Sequence, residues 1–319
     1  DSSWNIDYAR QKALIAYEHG AKAIIFVNKF EESNKKAIGS VFEPQSIAHV
    51  NIPQIHINYP AVNKFFENSG YDLKKLQNII DSTKKSYSVF LGKEALIKVE
   101  TEYYKEKRTQ NIVGIIEGND SIKKDEFIIL GAHLDHVGGQ AGKIYFAGAN
   151  DNASGSATVM EVAKAFGKGK IKSDRTIIFV LFAGEENYML GSEYFVEHMP
   201  ISKEKILCMI NFDCVGQGDS ALVRCGKLFP DLWNVAKTMN DKYVDMMSME
   251  TTNTSYADAS SFYKRGIPTL YFIAKNTYKY LHLIEDKPKT LNKKVHKKLT
   301  EIAFLTTYKL SMDERNNYR

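Results

Sequence analysis

The chain is poor in cysteine. Three residues, Cys208, Cys214 and Cys225, in a chain of 319 are too few for a disulfide framework and too irregularly spaced for a structural zinc site. They read as small buried hydrophobes on neighbouring strands. Long apolar runs are also missing: no stretch approaches the ~18 uninterrupted apolar residues of a bilayer-spanning helix, so no transmembrane segment is expected. Charge of one sign is not in excess, since 43 basic and 38 acidic residues leave a net charge of +5. With the two signs interspersed, this gives no footprint for nucleic acid. No internal repeat is apparent, and hydrophobic residues at 44% with charged residues at 25% exclude a disordered or collagen-like chain. The chain opens on Asp1-Ser2-Ser3-Trp4 rather than methionine and shows no signal peptide. A processed or trimmed form is expected, with any targeting segment out of view.

The length allows two domains at roughly 150 residues each. Residues 11–27 pass from a helical pattern (Ala13, Leu14, Ala16, Tyr17) through His19-Gly20 into the apolar run 23–27, a helix-to-strand transition. A polar loop is expected over 30–51, then a strand over Ile52–Ile57 and a helix over Ala61–Ser69 ending at Gly70. Asp81–Tyr87 reads as a polar join. The first ~90 residues thus form a small α/β unit, and the boundary is set as 1–90 and 91–319. Beyond residue 95, apolar strands alternate with amphipathic helices, predicting an α/β fold with a mostly parallel (mixed) sheet covered by helices on both faces. Strands are predicted at Ile112–Ile116, Phe127–Ala132, Thr176–Phe182, Ile206–Phe212 and Thr269–Ile273, and helices at Ser154–Phe166, Gly191–Val196, Leu232–Met239 and near Lys294–Met312.

Polar residues gather where these strands end, which is where open α/β sheets bind ligands. Phe127-Ile128-Ile129-Leu130 runs into Gly131-Ala132-His133-Leu134-Asp135-His136; alone, that pairing also fits a structural histidine. Gly148-Ala149-Asn150-Asp151-Asn152-Ala153-Ser154-Gly155 precedes a helix, where Asn152 or Ser154 could be an N-cap, but Asp151 is left without a role. The strand Thr176–Phe182 ends in Ala183-Gly184-Glu185-Glu186. Paired carboxylates oppose each other's ionisation if buried together, unless a cation or proton is shared; the plainer reading is a solvated helix start. Asp213 follows the strand Ile206–Phe212, and Tyr280-Leu281-His282-Leu283-Ile284-Glu285-Asp286 adds a late histidine. His133, Asp151, Glu185/Glu186, Asp213 and His282 together make the mixture of imidazole nitrogen and carboxylate oxygen that suits zinc.

In five ordered motifs, GAHLDHVG, GANDNASG, FAGEENYMLGS, NFDCVG and YLHLIED, the chain resembles the co-catalytic zinc aminopeptidases of metallopeptidase family twenty-eight. Its relatives include bacterial leucine-type aminopeptidases, glutamate carboxypeptidase, glutaminyl cyclase and the catalytically silent transferrin receptor. The resemblance implies two zinc ions per chain, other divalent metals being possible. His133 and Asp213 would bind one, Glu186 and His282 the other, and Asp151 would bridge them. Asp135 would sit behind His133 and fix its tautomer. Glu185 would be the general base, taking a proton from a metal-bridging water and passing it to the leaving amine. The family often has a cis peptide after the bridging aspartate, here Asp151-Asn152. The implied activity is release of N-terminal residues from peptide substrates, the free α-amine lying against the acidic cluster. Two alternatives are a single-zinc glutaminyl cyclase-like enzyme and a non-catalytic receptor-like relative.

The sequence departs from the family at Ala257-Asp258-Ala259, where Ser-Asp-His is usual. Altered packing or substrate contacts are expected there, rather than inactivity. Tyr256 is a candidate substrate contact or else a core tyrosine. The first ~90 residues resemble a partial protease-associated domain lacking its first strand, which implies an extracytoplasmic location, whether periplasmic, secreted or surface-anchored. His49 and His56 are taken as structural, and the lysines at 287, 289, 293, 294, 297 and 298 as a solvated helix face.

Overall fold

A computed structural model describes residues 8–27, 52–100, 104, 106–140, 144–315 and 317–318. The polar loop expected over 30–51, with His49, lies outside them. The chain divides into two compact units, Asp1–Glu106 and Lys107–Arg319. Among the described residues, no helix is long and apolar enough to cross a membrane.

The first unit contains α1 (Tyr8–Glu18), β1 (Ile24–Val27), β2 (Gln54–Ile57), α2 (Tyr59–Phe66) and α3 (Leu73–Thr83). β1 and β2 pair in parallel, Ile24 opposite Gln54 and Val27 opposite Ile57. α2 starts two residues before the expected helix because the Asn58 side chain caps it, accepting the Ala61 N–H at 2.9 Å, with a proline in its first turn. α3 was not anticipated. Asp72 caps it by accepting the Lys75 N–H at 2.8 Å, and Lys84 closes it in the left-handed region.

The second unit is built on a six-stranded mixed sheet. Its strands are β3 (Ile112–Ile116), β4 (Phe127–His133), β7 (Thr176–Phe182), β8 (Ile206–Phe212), β9 (Ala221–Arg224) and β10 (Thr269–Ala274), in the order β3-β7-β4-β8-β10-β9. The central four run parallel, while β3 and β9 are antiparallel edges. A two-stranded ribbon of β5 (Gly139–Gln140) and β6 (Ile144–Tyr145) follows β4. The helices are α4 (Gly155–Gly167), α5 (Leu190–His198), α6 (Pro230–Tyr243), α7 (Ala259–Tyr263) and α8 (Lys293–Ser311).

Both sheet faces are covered, which is why the central strands read as continuous apolar runs. Ile128, Leu130, Ile177, Ile210, Phe212, Leu270 and Phe272 face one core with Val159 and Val162 of α4, Leu232 of α6 and Leu299 of α8. The alternate residues Ile129, Ile178, Val180, Met209 and Tyr271 face the other, with Val196 of α5 and Phe262 of α7. The three cysteines are buried and free. Only Cys208 lies within a strand; Cys214 and Cys225 follow the ends of β8 and β9, in left-handed backbone. Of the lysines, 287, 289, 293, 294 and 297 are exposed, and Lys298 donates to the Val244 carbonyl at 3.0 Å.

Candidate metal centre

Because β4, β7 and β8 are parallel neighbours, their carboxyl ends deliver His133, Glu185-Glu186 and Asp213 to one edge of the sheet. Asp151 arrives from the turn before α4. Gly155 allows that turn to approach β8: a Cβ there would sit 2.3 Å from the Phe212 carbonyl oxygen. Asn152 fixes the approach from both sides, donating to the Phe212 carbonyl at 2.9 Å and accepting the Gly155 N–H at 2.9 Å. The Asp151-Asn152 peptide is cis, as the resemblance implies. His282 comes from the loop after β10.

The Asp151 carboxylate divides the cluster. Its Oδ1 lies 3.3 Å from His133 Nε2, which is 3.5 Å from Asp213 Oδ1. Its Oδ2 lies 3.2 Å from His282 Nε2, which is 3.2 Å from Glu186 Oε2. An ion with four ligands at ~2.0–2.1 Å keeps its donor atoms ~3.3–3.4 Å apart, so both halves have the spacing of zinc ligands. Among the described residues, His133 Nε2 and Asp213 Oδ1 are buried without a hydrogen-bond partner, which is costly unless a ligand completes them. The donor set fits zinc, and both orphaned atoms lie in the His133–Asp213 half.

The electrostatics agree. Burial opposes charge on His133, but Asp135, Asp151 and Asp213 outweigh it and raise its pKa well above that of ordinary histidine. Burial likewise opposes charge on His282, and Asp151 and Glu186 push its pKa up to about 10. Burial would raise the Asp151 carboxyl, yet His133 and His282 hold it well below the usual range. In the metal-free protein, protons on imidazoles thus balance the carboxylates. Glu185 is different. Burial, with Asp258, Asp213 and Glu186 nearby and only partly opposed by His133, lifts it to about 8. Its Oε2 lies 3.9 Å from His133 Nε2. Its side chain is 18% exposed and that of Glu186 only 8%, so the pair does not form a solvated helix start.

Asp135 lies behind His133 and helps to raise its pKa, without a direct side-chain hydrogen bond to it. Its carboxylate is 3.7 Å from His133 Nδ1, beyond hydrogen-bond reach, and the nearer partner of that nitrogen is the main-chain carbonyl of Asp135 at 3.1 Å. The carboxylate accepts the N–H groups of Glu185 at 3.1 Å and Glu186 at 3.3 Å, so it orients those acids. Tyr256 is not a core residue: it is 49% exposed, with the Arg224 guanidinium 5.1 Å from its ring centre. Asp258 is fully buried, both carboxylate oxygens without a hydrogen-bond partner among the described residues, and burial raises its pKa to about 7. Ala259 packs with Phe262 in the core, which accounts for the small residue after Asp258.

Three contributors were missed in the sequence. Tyr271 donates its hydroxyl to Asp213 Oδ2 at 3.0 Å, turning Oδ1 toward His133. Asp286 accepts the N–H groups of Asn150 at 2.9 Å and Asp151 at 3.0 Å, fixing the backbone behind Asp151. His136, inside the first motif, places Nδ1 2.9 Å from Glu186 Oε1.

The profile of peptidase family M28 matches residues 111–307. The chain belongs to this family. Two relatives of the M28 chain are aminopeptidase YwaD of Bacillus subtilis, 26% identical over 238 residues covering 70% of the chain and 49% of the relative, and a probable leucine aminopeptidase of Arthroderma otae, 32% identical over 197 residues covering 57% and 51%. The M28 chain spans about half the length of these relatives. Among solved structures, a zinc aminopeptidase from Bacillus subtilis aligns with a TM-score of 0.67 at 20% identity over 97% of this chain and 69% of that one. An aminopeptidase from Aneurinibacillus sp. strain AM-1 aligns at 0.61 and 19% over 99% and 69%. These two similarities establish the fold.

Proposed function

We propose that the chain is a two-zinc aminopeptidase that releases N-terminal residues from peptides. The observation that carries this reading is the divided Asp151 carboxylate, one oxygen 3.3 Å from His133 and the other 3.2 Å from His282, with Asp213 and Glu186 completing the two halves. Two cations held there would supply Lewis acidity toward a scissile carbonyl and toward the attacking water. Family membership and the names of the relatives support the reaction class.

Glu185 is the proposed general base. It must be ionised to take a proton from the attacking water, then returns it to the leaving amine. Asp135 holds the Glu185 and Glu186 amides, so the base and its neighbouring ligand are aimed together. A substrate's α-ammonium group would be attracted by the acidic cluster, which favours exopeptidase action. Tyr256, open to solvent, is the proposed substrate-side contact. Residues 1–90 are read as a partial protease-associated domain and 91–319 as the catalytic domain, and an extracytoplasmic setting follows from that reading.

The test is hydrolysis of aminoacyl amides by the purified protein before and after a strong chelator. Activity lost on chelation and restored by zinc supports the proposal, and chelator-resistant activity overturns it. Matched substrates with a blocked α-amine should be spared.

A further inference from the structure

We propose that His136 is a fourth donor side chain at the Glu186–His282 cation position, making that position the closed, retentive one of the pair. This rests on the two-cation reading above. His136 Nδ1 lies 2.9 Å from Glu186 Oε1 and 3.7 Å from Asp151 Oδ2. These are the same two carboxylates that His282 Nε2 approaches at 3.2 Å each. The four distances bracket the ~3.3–3.4 Å expected between donors around a tetrahedral zinc ion. The two rings converge from different directions, their centres 5.6 Å apart and their planes at 70°.

The place of the ring is built into the fold. Gly148 has φ of +61°, and a Cβ there would lie 2.6 Å from His136 Cγ and 2.8 Å from Cδ2. The backbone before Asp151 is therefore the wall against which the imidazole rests. The side chain is only 10% exposed, and its Nε2 is buried without a hydrogen-bond partner among the described residues. Among the described residues, the ring is thus not held there by a hydrogen bond from its far nitrogen, and its polar contacts are with the cation-facing carboxylates.

The two positions are then unequal. The first has one imidazole and two carboxylates, from His133, Asp151 and Asp213, which leaves a tetrahedral corner for water or substrate. The second has two imidazoles and two carboxylates, from His136, His282, Asp151 and Glu186. Four protein ligands are the mark of positions that retain their ion, three of positions that exchange ligands during reaction. Imidazole also suits zinc better than the hard cations magnesium and calcium.

The experiment is a titration of chelator-stripped protein with zinc alone against a competing chelating dye, with cobalt absorption as a coordination signature. The wild type is expected to bind two ions, one more tightly than the other. His136→Ala and His136→Gln should both weaken the tighter step by at least the ~10–100-fold that even indirect partners of metal ligands command, leave the other step in place, and change the cobalt spectrum. Circular dichroism melts of the stripped variants check that both fold. A glutamine variant with wild-type affinity beside a weakened alanine variant would reduce His136 to a hydrogen-bond donor for Glu186 and overturn ligation. Unchanged binding in both variants would also overturn it while leaving the two-cation reading intact. A wild type that takes up fewer than two ions would refute that reading and this one with it.

Discussion

Replacing Glu185 with glutamine should make the metal-free protein more stable while removing its activity. In the stripped protein, burial raises the Glu185 carboxyl from 4.5 to about 8. Below pH ~4.5 the group is protonated in folded and unfolded chains alike, and it makes no pH-dependent contribution. Between ~4.5 and ~8 the unfolded chain ionises while the folded one keeps its proton, so wild-type stability falls as pH rises and levels off above 8. At ~1.4 kcal/mol per pH unit, this loss amounts to about 3–5 kcal/mol. Glutamine has the same shape and no proton to lose, so E185Q avoids it. Urea unfolding of stripped wild type and E185Q at pH 5 and pH 8.5 should show a small difference at the lower pH and the full advantage of E185Q at the higher. In the zinc-loaded protein, the same substitution should lower kcat by ~10²–10⁴-fold, the usual contribution of a general base, with zinc content unchanged. An E185Q protein no more stable than wild type at pH 8.5, or a gain independent of pH, would refute the burial argument; substantial residual turnover would refute the role as base.

Three further outcomes are expected. Zinc affinity should fall steeply from pH 8 to pH 6, because protons compete for His133 and His282, whose pKa values the surrounding carboxylates raise; equilibrium titration at several pH values checks this. Asp286→Ala removes the acceptor of the Asn150 and Asp151 amides, and at ~1–3 kcal/mol for each buried group left unpaired should destabilise the protein measurably in urea and weaken zinc binding. Tyr271→Phe deletes the hydroxyl that holds Asp213 Oδ2 and should cost ~10-fold or more in zinc affinity with little change in far-ultraviolet circular dichroism.

The strands β4, β7, β8 and β10 were legible because each is buried on both faces, so its apolar run is unbroken. β9 was not: Ala221–Arg224 is four residues long and buried on alternate positions only, a pattern too short to separate from a loop. α3, though not anticipated, carries a readable signal, with Leu73, Leu76, Ile79 and Ile80 on one helical face and the Asp72 cap at its start. The acids and histidines at the strand ends stood out because charged groups after apolar runs have few plain explanations. Tyr271 had no such signal. Inside a strand it reads as core, and its partner Asp213 is brought near only when β10 lies beside β8, Tyr271 opposite Asn211. His136 and Asp286 lie within the first and last of the five motifs, but their targets, Glu186 and the amides of Asn150 and Asp151, are 50 and about 136 residues away in the chain, and only the folded sheet joins them.

The most direct test of the account is anomalous diffraction at the zinc edge from crystals of the zinc-loaded protein. Two peaks are predicted, one on each side of the Asp151 carboxylate: the first against His133 and Asp213, the second against Glu186 and His282. A single peak, or zinc bound away from Asp151, would contradict the two-cation centre.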